Sequence, residues 1–188
     1  MTPKTKFTQH DIIEVAYQIA KDEGLSAITA RKIANQLGCS VAPIYVNFKS
    51  IDELVDDVVK KVFTLTHHYT SQAKGTTPFE KIGYASFRFA KEHPTLFREL
   101  ALTPNRFMSS YDQVEQSLLS SFDQDPQLNQ LSMTTKKKLL LQMRIFQLGL
   151  SAMIANNHIP SWLTIQEAQE LIIETGNMLL EATQREHQ

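Results

Sequence analysis

The chain has 188 residues, 42% hydrophobic and 21% charged, with a net charge of −1, enough apolar material for one small module and a larger body with its own core. No uninterrupted apolar run approaches the roughly 20 residues of a membrane span, and the start, MTPKTKFTQ, lacks the apolar stretch of a secretion signal, so a cytoplasmic location and no membrane partner are expected. The lone Cys39 excludes an intrachain disulfide.

Charge is unevenly placed. Residues 1–49 hold six basic side chains (Lys4, Lys6, Lys21, Arg31, Lys32, Lys49) against four acidic ones, a net +2, and the remainder carries −3. The asymmetry favours nucleic acid as a partner of the N-terminal part alone.

Taken in chain order, helix starts are marked by capping boxes, in which a Ser or Thr caps one N–H and an acid three residues on caps another. Thr8 with Asp11, Ser50 with Glu53, Thr77 with Glu80 and Thr164 with Glu167 fit. The pattern predicts helices over 9–23, 30–37, 41–47, 51–72, 78–92, 95–101, 105–123, 133–156 and 165–184. Gly24, the Lys74-Gly75-Thr76 segment, Pro94, Pro104, Pro126 and Pro160 mark the breaks. No run alternates with period two, so an all-α fold of about nine helices is expected.

The stretch from Thr29 to Ser50 carries the sharpest signal. Thr29 can cap a helix through Arg31, Ile33, Ala34 and Leu37, and Gly38 supplies the left-handed turn that ends it. Ser40 can cap a second helix with Val41, Ala42, Ile44 and Tyr45, Pro43 lying in its first turn. A small residue at Ala34, glycine at Gly38 and an apolar residue at Ile44 have helix-turn-helix spacing: small where helices touch, glycine where the chain reverses, apolar where the second helix packs back. Such a second helix lies in a DNA major groove. The alternative is an αα-hairpin that binds nothing. Cys39 inside the turn suits packing better than nucleophilic chemistry.

The C-terminal part offers a second clue. In the helix near 133–156, Leu139, Met143, Phe146, Leu150 and Met153 form one apolar stripe, and Leu141, Ile145, Leu148 and Ala152 form another. A helix apolar on two faces is buried on two faces. With the helix near 165–184, whose Ile165, Ala168, Ile172, Thr175, Leu179 and Ala182 share one side, it suggests a four-helix bundle between two copies; a monomer core around both helices is the alternative. Aromatics between the modules are expected to be mostly core, some lining a ligand cavity: Tyr84, Phe87, Phe107 and Tyr111, closed by Met143, Phe146, Gln147 or Trp162.

On these residues the chain resembles the tetracycline-repressor (TetR) family of bacterial transcriptional regulators. The resemblance rests on Phe7-Thr8, Ile12 to Ala16, Gly24-Leu25, Thr29 to Ala34, Leu37 to Ser40, and Ile44 to Ser50 followed by Glu53-Leu54, and covers about the first 55 residues. It implies a three-helix DNA-binding domain over 1–49 and a helical ligand-binding and dimerisation domain over 50–188. It also implies DNA contacts at Thr29, Arg31, Tyr45 and Lys49 on phosphates, and at Val41, Ala42 and Asn47 near base edges, with Ser40 at the helix start. Ile51 stands where many members have lysine, and Asn47 where histidine is frequent. The recognition helix is therefore poor in hydrogen-bonding groups, leaving more of the selectivity to Arg31, DNA shape or an arm carrying Lys4 and Lys6.

The expected function is a homodimeric, ligand-responsive transcription factor, most often a repressor, on a palindromic operator, its effector unidentified and no cofactor or metal required. A rival is an interaction module of the same fold that binds a protein instead of DNA. Catalysis has little support: His67 and His68 point about 100° apart on a helix, and no phosphate loop, nucleophile elbow or metal-spaced cluster is present.

Overall fold

The computed structural model describes residues 7–75, 77–107, 111–124 and 128–186, and among these it is all-helical. The helices are α1 (Gln9–Glu23), α2 (Ala30–Leu37), α3 (Ala42–Asn47), α4 (Ile51–Gln72), α5 (Pro78–Glu92), α6 (Pro94–Phe97), α7 (Tyr111–Gln124), α8 (Met133–Ala155) and α9 (Ile165–Arg185). A 3-10 turn, Leu25–Ala27, separates α1 from α2, and a π-helical turn, Arg98–Leu102, follows α6. The chain forms two compact units, residues 1–65 and 66–188.

In the first unit the apolar faces of α1 to α4 bury Ile12, Ala16, Ile19, Ile33, Ile44, Leu54, Val58 and Val62. Thr8 and Asp11 form the reciprocal capping box that starts α1. Gly24, at φ 97°, stops it, its N–H donating to the Ala20 carbonyl. Lys61 of α4 donates to Glu14 of α1 at 2.5 Å, with its ammonium 5.2 Å from the centre of the Tyr17 ring.

The second unit has two apolar clusters, both drawing on α8. One joins Phe87 of α5 to Leu150 and Ile154 of α8 and Ala168 and Ile172 of α9. The other joins Leu119 and Phe122 of α7, Leu128, and Leu139, Leu140 and Met143 of α8. At Gly83 a Cβ would lie 2.5 Å from Ile172, so the missing side chain is what lets α5 and α9 come together. By length and hydropathy α8 also passes for a membrane span, although its sequence contains Lys136, Lys137, Lys138 and Arg144.

Three expected elements differ in detail. Helix α3 begins at Ala42 with Val41 as its cap, and Ser40 makes no cap bond. A cap at Ser40 would put Pro43, which has no N–H, at one of the two positions a capping side chain serves. Residues 105–107, expected in helix α7, lie outside it, 106 and 107 forming a turn. Asn105 instead closes the π-helical turn, its Nδ2 donating to the carbonyls of Glu99, Leu100 and Thr103 while Oδ1 accepts from the Phe107 N–H. In α8 the first stripe is buried at Leu139, Met143 and Leu150, whereas Leu141 is 57% and Ile145 63% exposed.

Candidate nucleic-acid interface

The turn between α2 and α3 is built as its sequence dictates. Thr29 Oγ1 accepts from the Lys32 N–H at 3.3 Å and starts α2. Gly38 ends it in the left-handed region, φ 66° and ψ 34°, and the Cys39 N–H returns to the Ala34 carbonyl at 2.9 Å. Ile33, Ala34, Ile44 and Phe48 are buried, fixing α3 against the module and leaving its other side in solvent.

That outer side holds most of the expected contacts. Thr29, Arg31, Ser40, Ala42 and Lys49 are exposed, Val41 lies at the edge of exposure, and Tyr45 is 55% exposed. Lys32 is turned into a salt bridge with Glu23 at 2.5 Å, whereas Arg31 and Lys49 form no ion pair among the described residues. Two cations and a phenol on a surface presented by a helix-turn-helix suit phosphate oxygens. Lys4 and Lys6 lie outside the described residues.

Asn47 is placed differently from a base reader. It is the last residue of α3 and half-buried. Its Nδ2 donates to the Pro43 carbonyl at 2.8 Å and the Phe7 carbonyl at 3.3 Å, and its own carbonyl accepts from Gln9 Nε2 at 2.9 Å. Both amide hydrogens are thus engaged in tying the start of α1 to the end of α3. Sequence reasoning passed over Val46, which is 84% exposed; a β-branched apolar residue beside Tyr45 on a helix that must show one face to water was the available signal.

In the second unit the expected ligand residues do not converge on one cavity. Tyr84 and Phe87 line an open cleft of about 840 Å³ with Tyr69, Gln72 and Lys74 from the end of α4 and beyond, Arg88, Lys91 and Glu92 of α5, and Ile165, Gln166, Gln169 and Glu170 of α9. Met143 belongs to the α7–α8 cluster, Phe146 packs against the Phe87 cluster, and Gln147 donates to the Ile82 carbonyl at 3.4 Å. Phe107 lies under the Arg106 guanidinium, 5.0 Å away. The Tyr111 side chain lies outside the described residues. Trp162, in the turn before α9, is 77% exposed and does not line the cleft.

At one end of the cleft is a polar knot that the sequence reading did not find, although the Arg88-to-Glu92 spacing of four was its signal. Arg88 bonds Glu92 at 2.8 Å and sits 4.0 Å from the centre of the Tyr69 ring. Tyr69 donates to Glu92 at 2.5 Å and lies 3.2 Å from Nε2 of buried His93. Burial of Glu92 opposes its ionisation, but the bonds from Tyr69 and Arg88 outweigh it and hold the carboxyl below its ordinary range. Burial, with Glu80 and Glu170 nearby, raises the Tyr84 phenol.

A glycine-turned helix pair with Arg31, Tyr45 and Lys49 outward has the form of a helix-turn-helix, in a chain whose described residues form helices and turns without strands. Residues 12–58 match the family model of the bacterial regulatory proteins, tetR family. The N-terminal segment thus has the sequence of that family's N-terminal module. No curated protein matches the sequence. Among solved structures, a TetR-like transcriptional regulator from Rhodococcus sp. RHA1 superimposes with a TM-score of 0.63 at 12% identity, over 89% of this chain and 92% of that one. A second transcriptional regulator from the same source gives 0.62 at 13%, over 94% and 97%. The ketosteroid transcriptional regulator KstR2 of Mycobacterium tuberculosis gives 0.52 at 17%, over 93% of each. At these identities the likeness is one of fold.

Proposed function

We propose that the protein is a cytoplasmic, homodimeric repressor that binds a palindromic operator through α2 and α3 and leaves it when a small molecule occupies the second unit. The observation that carries this reading is the outward face of Thr29, Arg31, Tyr45 and Lys49 on the segment that matches the family model.

The dimer reading is supported by α8 and α9. Leu141 and Ile145, with Met178 at 69%, leave apolar side chains in water, more than scattered surface residues require. Gly149 adds to this: it is exposed in the middle of α8, and a Cβ there would meet nothing within 4 Å. A mid-helix glycine costs about 1 kcal/mol relative to alanine, and nothing within the unit uses its missing side chain. Close approach by the α8 of a second copy would.

The effector would sit in the cleft beside Tyr69, Tyr84 and Phe87, against the last turn of α4. Because α4 is one continuous helix from Ile51 to Gln72, a ligand that moves its end changes what its beginning presents. Effector and DNA then weaken each other by the same factor.

The test is equilibrium binding to palindromic duplexes from upstream of the protein's own coding sequence, across salt concentrations and with candidate effectors. Affinity should fall steeply with salt, and an effector that raises the Tm should lower operator affinity. Effector binding that leaves operator affinity unchanged would remove the induction mechanism. The exposed apolar surface of α3 favours one second reading, a module that docks a protein; that reading stands if no duplex is retained even at low salt.

A further inference from the structure

We propose that this protein reads its operator chiefly through apolar contact with thymine methyl groups, with Val46 as the principal specificity-determining side chain. This rests on the DNA-binding reading above. Across the six residues of α3, Ile44 is buried, Pro43 is half-buried, and the Asn47 amide is consumed by the Pro43 and Phe7 carbonyls. What remains for a groove is Ala42, Tyr45 and Val46, with Val41 just before the helix.

Only Tyr45 among these has a hydrogen-bonding side chain. In the major groove each base pair offers donors and acceptors, and thymine alone offers a methyl group. A surface of one alanine and two valines matches that methyl and none of the polar edges. Val46 is the most exposed of the set, at 84%. It is also a poor helix former, because its branched Cβ loses χ1 freedom, so both its exposure and its conformation work against the isolated module. Burial against a methyl group returns the exposed surface to an apolar environment.

The experiment selects high-affinity duplexes from a random pool with the full-length protein, then replaces each thymine in the selected site, one at a time, by deoxyuridine. The exchange removes the methyl and leaves base pairing intact. The expected result is one or two thymines per half-site at which deoxyuridine weakens binding about fourfold, the worth of one buried methyl-sized group, with the penalty absent in Val46→Ala. Val46→Ala should fold normally, since the side chain is in solvent, and circular dichroism of that variant checks this.

A selected site at which every deoxyuridine exchange is neutral, or at which Val46→Ala keeps the full penalty, overturns the methyl readout and leaves DNA binding standing. A protein that retains no duplex at low salt overturns the underlying function instead.

Discussion

Asn47 and Tyr45 are two places apart in α3 and do different work. Because the Asn47 amide bridges the Pro43 and Phe7 carbonyls, Asn47→Ala is expected to destabilise the first unit by about 1–2 kcal/mol and to leave base preference unchanged; thermal unfolding and a selected-site profile check both halves. Tyr45→Ala removes an exposed donor suited to a phosphate. It should weaken all duplexes alike, about fivefold per half-site and roughly 25-fold for the dimer, and a loss confined to one sequence would assign Tyr45 to a base. Ile51→Lys adds a cation at the start of α4 in each subunit and should raise affinity for every duplex while steepening the log–log salt dependence of the dimer by about two. The Asn47 role was not legible in the sequence. The residue type permits base readout, and only the return of Phe7 and Gln9 to the end of α3, about forty positions away in the chain, uses up its donors.

Helix starts were the most legible elements, because a capping box is local and its two bonds span four residues. The boxes at Thr8, Thr77 and Thr164 all form, and Ser50 caps the Glu53 N–H while the Glu53 carboxylate takes the Lys49 N–H. The place of Asn105 outside α7 was not legible, since it chooses between helix and turn by which carbonyls come within reach, here those released by the π-helical turn. The boxes also predict an acid response. Thr8 backbone and side-chain bonds hold the Asp11 carboxyl below 3.8, and Thr164 side-chain and backbone bonds hold that of Glu167 below 4.5. Each stabilises the fold above its unfolded-state pKa and ceases to as pH falls through the lowered folded-state value. Glu167→Gln should therefore flatten part of the loss of Tm below about pH 4.5, and an unchanged acid limb would show that the box contributes nothing. On α8, Gly149→Leu should shift sedimentation from dimer to monomer, and Gly149→Ala, whose Cβ enters the same contact, should weaken the dimer despite a gain of up to about 1 kcal/mol in helix propensity. A dimer indifferent to leucine there would place its interface elsewhere.

For the whole molecule, the all-helical fold and the helix-turn-helix were readable because both rest on short-range patterns: capping, the Gly38 turn and 3.6-residue periodicity. The cleft was not. Its lining comes from the end of α4, from α5 and from the start of α9, and only packing brings these segments together. That is why Tyr84 and Phe87 were anticipated there, while Tyr69, Arg88 and Glu92 were not. Both stripes of α8 were legible as apolar, but sequence alone could not say that the Leu139–Met143–Leu150 side would be buried within the unit and the Leu141–Ile145 side left in water. On the function proposed above, the face carrying Arg31, Tyr45 and Lys49 binds duplex DNA through its phosphates. Its most direct test is the affinity of the full-length protein for a selected palindromic duplex measured across salt concentrations. A straight log–log decline is expected, with a slope of about −0.9 for each phosphate neutralised, made shallower by about two in Arg31→Ala and in Lys49→Ala because each is lost from both half-sites. Affinity that is independent of salt, or a slope that neither substitution changes, would contradict it.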